Sequence, residues 1–183
     1  KRMFSRDNLT ITLIGLGLTG LAFTLDHTVK DYFQEQQPTG HVSHYGDSAG
    51  QGYVPFALGA SLFAAGEVFD NKQLADTGIV SIEALAVTGI TTEALKYATG
   101  RLRPNHQDNM SFPSGHASMT AAFAASVSGM YDWNPYVAVP LFTVVTFVGA
   151  SRIQDNMHYL SDVIAGITLG TIVGMSFAKY QLE

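Results

Sequence analysis

The sequence predicts an all-α protein, a single-domain bundle of about six main helices covering residues 1–183. Three observations predict it. Apolar segments of helical length recur along the chain. Short polar breaks carrying Gly, Pro or Asn separate them. No long linker, low-complexity tract or fixed-period repeat interrupts the 183 residues, a length suited to one core.

Taken in order, residues 8–25 form an uncharged apolar run. Residues 26–50 are polar, with Pro38, Gly40, Gly46 and Gly50 as breakers. Within that stretch Val29, Tyr32 and Phe33 recur at helical spacing and predict a short amphipathic helix. Residues 54–66 form a second apolar run. In the third, 71–99, Leu74, Ile79, Ile82, Leu85, Ala86, Ile90 and Leu95 fit one broad stripe of helical period. Gly100 and Pro104 end it. A polar loop over 105–111 leads to a fourth helix, 114–131. Trp133, Asn134 and Pro135 make a turn. Residues 136–150 read as a fifth helix, although their Val and Thr content also suits a strand. The sixth spans 157–180.

Composition excludes several function classes. With no cysteine, there is no disulfide scaffold, thiolate metal site or cysteine nucleophile. A net charge of −5 argues against general nucleic-acid binding. The charged fraction, 14%, is low against about 25% for an ordinary soluble domain, so the chain is either largely buried or associated with a membrane. Against spanning, the third helix carries Asp76, Glu83 and Glu93, costly in lipid, and mean hydropathy is only +0.14. If six helices alternated across a bilayer, the inner loops would show little basic excess beyond Lys1, Arg2 and Arg6. The expectation is a soluble or membrane-surface bundle, with six membrane spans as the alternative. Gly166, Gly170 and Gly174 suit close helix approach in either setting.

Three clusters carry chemistry. The first holds Lys96, Arg101, Arg103 and Pro104. Arginine's fork matches phosphate oxygens; a solvated helix end is the ordinary alternative. The second is Pro113-Ser114-Gly115-His116 at a predicted helix start. Free N–H groups and the dipole favour an anion there, and Gly115 admits it closely. Ser114 as a plain N-cap is the alternative. The third runs from Ser151 and Arg152 to His158 and Asp162. Four apart, His158 and Asp162 share one helix face, so the carboxylate can hold one ring proton and leave the other nitrogen as base or nucleophile. A surface His–Asp pair is the alternative.

Together these residues resemble the type 2 phosphatidic acid phosphatase superfamily, which includes bacterial acid phosphatases and vanadium haloperoxidases. The signature is Lys, six residues, Arg-Pro; then Pro-Ser-Gly-His; then Ser-Arg, five residues, His, three residues, Asp. Every fixed position is present between Lys96 and Asp162. The resemblance implies that His158 attacks phosphorus, Asp162 orients His158, and His116 protonates the leaving oxygen and then activates water. It implies that Lys96, Arg103, Arg152, Ser114 and the Gly115 N–H hold the phosphate oxygens. Arg101 falls between fixed positions and stands outside the expected site.

The implied activity is hydrolysis of a phosphomonoester or diphosphate, with lipid phosphates favoured over small soluble phosphoesters. Fixed cations can neutralise the transferred group, so no metal or other cofactor is expected; vanadate or phosphate can occupy the site as an analogue. An extracytoplasmic, periplasmic location is likewise implied. A vanadate-dependent haloperoxidase and a non-catalytic phosphate-binding or membrane-scaffold domain are the competing readings. The small size argues against the former, and the presence of both histidines argues against the latter.

Other signals are weaker. Gly15, Gly17 and Gly20 match a dinucleotide-binding spacing but follow no strand, so helix packing is expected. His41 and His44 read as solvated loop residues rather than metal ligands. Tyr32, Phe33, Tyr45, Tyr53 and Phe56 read as core or lid.

Overall fold

The computed structural model describes residues 6–182, and within them seven α-helices, a single 3-10 turn and no strand. The helices are α1 (Arg6–Gln36), α2 (Ser43–Gly50), α3 (Tyr53–Val68), α4 (Lys72–Thr99), α5 (Gly115–Met130), α6 (Pro135–Gln154) and α7 (Leu160–Leu182). The turn, Gly40–Val42, leads into α2. Lys1 and Arg2, used above for the charge balance, lie outside the described residues.

Local chemistry explains the boundaries. Asn71 caps α4, its side chain accepting from the Leu74 N–H at 3.1 Å, and Gly100 ends that helix at φ +56°. Asn134 caps α6 in the same way through the Tyr136 N–H, and Pro135 opens its first turn. The β-branched residues 136–150 are therefore helical, and the helix continues to Gln154. The first apolar run and the short amphipathic helix are one helix, because no Gly or Pro stands between Gly20 and Pro38. Helix α2 was hidden in the polar stretch between glycines. Helix α7 begins at Leu160, three residues later than expected.

Burial runs opposite to that of a water-soluble bundle. The buried face of α4 is small or hydroxylic, including Ala75, Thr77, Gly78, Ser81, Ala84, Thr88 and Thr92. Of its expected stripe, Leu85 is buried, but Ile79, Ile90 and Leu95 point outward, Ile90 at 73% exposure. On α1, Leu9, Leu13, Ile14, Leu16, Leu18 and Leu21 are all exposed. Hydroxyls bridge helices inside, Ser81 to Ser126 at 3.0 Å and Thr92 to Ser118 at 2.9 Å. Small residues within and large apolar residues without are the pattern of a bundle whose solvent is lipid.

Four helices, α1 from Leu9 onward, α4, α6 and α7, are long and apolar enough to cross a membrane. They point to a membrane protein rather than the soluble or membrane-surface bundle expected, with four such helices among the described residues where the alternative had six. Two of the three acids counted on α4 lie near its ends, Asp76 in the second turn beside Lys72 and Glu93 beside Lys96, whereas Glu83 stands mid-helix and exposed. Averaged hydropathy misled because interior Ser, Thr and Gly dilute it.

Helix α5 is the buried centre, and α7 lies against it. A Cβ on Gly166, Gly170 or Gly174 would stand 2.5, 2.1 or 2.4 Å from the backbone oxygens of Ser114, Ser118 and Ala122. One turn of α7 therefore meets one turn of α5 with backbones almost touching. Gly15 packs on the Thr168 side chain, as helix packing predicts, whereas Gly17 and Gly20 have nothing within 4 Å and take no part in it.

Candidate active site

The last turn of α4, the first turns of α5 and α7, the last turn of α6 and the short α2 all gather at one end of the bundle. Through them the sequence-predicted residues Lys96, Arg103, Ser114, Gly115, His116, Arg152, His158 and Asp162 come together. Six of these eight are buried, with Gly115 and His116 half-buried. A cavity of about 350 Å³ reaches Lys96, Gly115 and His116 between Thr92 and Met119.

His158 lies in the turn between α6 and α7 rather than on α7, so it and Asp162 do not share a helical register. The hydrogen bond expected between them is displaced: Nδ1 is 3.7 Å from Asp162 Oδ2 but 2.7 Å from the Ser111 carbonyl oxygen. A carbonyl only accepts, so Nδ1 carries the proton and Nε2 keeps its lone pair. Arg103 Nη1 lies 3.2 Å from Nε2 and donates to it. Burial pushes the His158 pKa below its ordinary value, with Asp162 pulling the other way. The imidazole is thus neutral at neutral pH, its Nε2 lone pair accepting from the Arg103 guanidinium.

Asp162 instead anchors the turn. It accepts from the Ser111 hydroxyl (2.6 Å), the Tyr159 N–H (2.8 Å) and Arg101 (2.6 Å). The bond to Tyr159 is the back-reaching half of a capping box at the start of α7. The Asp162 carbonyl also accepts from the Ser114 N–H at 2.9 Å, tying the starts of α5 and α7 together.

The cations are held by neighbouring acids. Arg103 pairs with Asp108 at 2.7 Å, and Lys96 lies 3.7 Å from Glu93. Arg152 pairs with Asp155 and, at 2.5 Å, with Asp47 of α2. Asp47 also stands 3.2 Å from His116 Nε2, in a geometry that leaves this ring nitrogen without a hydrogen bond. Ser114 caps α5 as the ordinary alternative supposed, accepting from the Ala117 N–H at 3.5 Å. Lys96 Nζ lies 3.6 Å from where a Cβ on Gly115 would be, so the ammonium faces the start of α5. Gly50 makes room for His116, since its Cβ would come within 2.8 Å of that ring and side chain.

The arrangement can bind a tetrahedral anion and attack it. Lys96, the start of α5 and His116 line the cavity, and Arg103 with the neutral His158 and Arg152 with Asp47 beside His116 stand next to these residues.

Sequence reasoning missed Asp26, Asp47, Arg101 and Ser111. Arg101 was set aside, yet it bonds Asp26, Ser161 and Asp162. Its position two residues before Arg103, in a chain with ten basic residues, was the available signal. His41 and His44 are exposed and outside the site, and no metal-binding group of three or more acids and histidines occurs among the described residues. Of the aromatics, Phe33 and Phe56 pack against the core, while Tyr32, Tyr45 and Tyr53 are exposed.

A family profile described as the PAP2 superfamily matches residues 78–183. The chain is 33% identical over 156 residues to a lipid A 1-phosphatase of Porphyromonas gingivalis, covering 84% of this chain and 35% of that protein. Against a phosphatidylglycerophosphatase B of Bacillus subtilis, identity is 25% over 146 residues, covering 72% and 68%. A lipid A 1-phosphatase of Rhizobium etli is 30% identical over 108 residues, covering 51% and 45%. The chain thus spans well under two thirds of both lipid A 1-phosphatases. The crystal structure of a transmembrane PAP2 type phosphatidylglycerolphosphate phosphatase from Bacillus subtilis superposes with a TM-score of 0.79, covering 94% of each chain at 19% identity. At that identity the likeness carries the fold.

Proposed function

The chain belongs to the PAP2 superfamily, and on that premise we propose that it hydrolyses a phosphate monoester or diphosphate carried by a lipid, through a phosphohistidine. The observation that carries this reading is the neutral Nε2 of His158, held beside Arg103 at the end of a lipid-facing bundle. His158 Nε2 attacks phosphorus and the bond to the ester oxygen breaks. His116 gives that oxygen a proton. A water then loses its proton to His116 and attacks phosphorus, breaking the N–P bond and releasing phosphate. Lys96, Arg103, Arg152 and the N–H groups at Gly115 neutralise the equatorial oxygens throughout, with Ser114 framing the turn. No metal is called for.

The lipid assignment draws on the outward apolar faces and on relatives named as lipid phosphatases. Orientation follows from α1. About 20 residues of helix, or about 30 Å, separate Arg6 from Asp26 at the site, enough to cross the hydrocarbon core. The basic residues early in the sequence favour a cytoplasmic start for α1, which supports an extracytoplasmic site.

The test is phosphate release by the detergent-purified chain from phosphatidic acid and an isoprenyl diphosphate in mixed micelles containing EDTA. Hydrolysis of at least one of them supports the reading. Release from soluble esters alone would replace it with a soluble-substrate phosphatase, and release from none would end it.

Two further outcomes are expected. His116→Ala should slow alkyl and lipid esters more than activated aryl phosphates, by a further factor of about 10²–10⁴, the usual worth of general-acid help. Equal losses on both would remove His116 from that role. Gly50→Ala should lower kcat by about 100-fold, because the new methyl meets His116 and the buried Val148 within 2.8 Å and shifts the His116 ring. Unchanged kcat would show that the ring has room to spare.

A further inference from the structure

The residues that hold Asp162 are not those of the phosphate pocket. Arg101 is only 22% exposed in its side chain and does not line the cavity. Nη1 donates to Asp162 Oδ1 and to the Ser161 hydroxyl, both at 2.6 Å, and Nη2 donates to Asp26 Oδ2 at 2.6 Å. The guanidinium lies between two rings, 4.6 Å from the centroid of Phe23 on α1 and 4.4 Å from that of Tyr159, the neighbour of His158.

Asp26 completes the arrangement from α1. It is 2% exposed and accepts from the Ser161 N–H at 2.9 Å and the Ser161 hydroxyl at 2.7 Å. A carboxylate of the first helix therefore caps the start of the last one. Between them, Asp26 and Asp162 satisfy two of the N–H groups that begin α7, and the negative charges suit that end of the helix dipole.

The contacts form a closed path to the imidazole. Arg101 fixes Asp162. Asp162 accepts the Ser111 hydroxyl, and the Ser111 carbonyl accepts the His158 Nδ1–H. The Ser111 N–H returns to the Arg101 carbonyl at 2.9 Å. Arg101 thus holds both ends of the segment whose carbonyl sets the tautomer of His158. Buried ion pairs contribute little to stability on balance, because desolvation offsets attraction. One that bridges α1 to a reactive turn has another use.

We propose that Arg101 and Asp26 are positioning residues that act as one unit: they keep Asp162 and Ser111 aligned so that His158 presents Nε2 to phosphorus. On this view α1 is part of the catalytic apparatus as well as a membrane span. The proposal rests on the assignment of His158 as nucleophile above.

The test compares Arg101→Ala, Arg101→Lys, Asp26→Asn, Asp26→Ala and the Arg101→Ala/Asp26→Ala double variant, each as the detergent-purified full chain. Steady-state hydrolysis of a lipid phosphate gives kcat and KM, and competitive inhibition by vanadate reports the pocket separately. Arg101→Ala is expected to lower kcat by about 100-fold while KM and the vanadate constant move by less than about threefold, since Lys96, Arg103 and Arg152 are untouched. Arg101→Lys should recover little, because an ammonium cannot fork between two carboxylates. Asp26→Asn should recover part of what Asp26→Ala loses, because its amide oxygen still accepts from Ser161. The double variant should be no worse than Arg101→Ala, as expected of two residues in one unit.

A kcat for Arg101→Lys and Asp26→Asn within twofold of the parent would overturn the proposal, even if the alanine variants failed to fold. So would a rise in KM and the vanadate constant at unchanged kcat, which would make Arg101 a phosphate ligand. Independent, multiplying losses in the double variant would break the unit. A parent chain that is inactive, or as active as His158→Ala, would instead defeat the underlying functional reading.

Discussion

Replacing His158 by alanine is expected to lower phosphate release by about 10⁴-fold or more, the scale on which enzymes lose a covalent nucleophile. The size follows from the geometry. Nδ1 is committed to the Ser111 carbonyl, so Nε2 is the ring atom with a lone pair to offer, and Arg103 stands 3.2 Å from it. A phosphate oxygen bound by Arg103 brings phosphorus to that lone pair. His116 is placed against Asp47 and Arg152, on the leaving-group side of this scheme. The variant should still bind vanadate, because Lys96, Arg103 and Arg152 remain. Persistence of near-normal turnover in a variant of confirmed sequence would remove His158 from the reaction.

The largest effect on stability is expected from Gly170→Val. Any side chain there meets backbone, with Ser118 O at 2.1 Å and Ala122 N at 2.8 Å from the new Cβ, and backbone of a central helix cannot swing aside. Helices α5 and α7 would have to separate along their shared face. Overpacking of a core costs about 1–3 kcal/mol and more when it forces backbone apart. About 3 kcal/mol corresponds to a fall in Tm of roughly 6–12 °C for a chain of this size. Gly20→Ala is the matched control: nothing lies within 4 Å of its Cβ, and alanine in a helix is worth about 0.5–1 kcal/mol over glycine. Thermal unfolding in detergent, followed by circular dichroism, checks both. A Gly170→Val protein as stable as the parent would contradict the close approach of α5 and α7.

The two parts of the molecule were legible to different degrees. The residues proposed to hold phosphate stand in short, strongly patterned segments, and helix ends marked by Asn71, Gly100, Ser114 and Pro135 could be read from single residues. Helix α2 carried too many glycines and too few apolar residues to register. The membrane setting was misread because its evidence lies in which face each residue takes. A helix with Ala, Ser and Thr inside and Ile90 outside has the same composition as its soluble inverse. The Asp26–Arg101 bridge joins residues 75 positions apart, and Asp47 meets Arg152 across 105. Nothing local announces either pairing. Even the expected His158–Asp162 bond depended on a helix start two residues away from where it was needed, and the Ser111 carbonyl took its place.

The central claim is that phosphorus passes through His158. Rapid acid-free quenching of the purified chain during turnover of a ³²P-labelled lipid phosphate, followed by peptide mapping, tests it most directly. The result predicted is an acid-labile, base-stable phosphoryl group on His158 that forms and decays at the rate of turnover and is absent from His158→Ala. Turnover at full rate with no label on His158, or with the label on another residue, would contradict it.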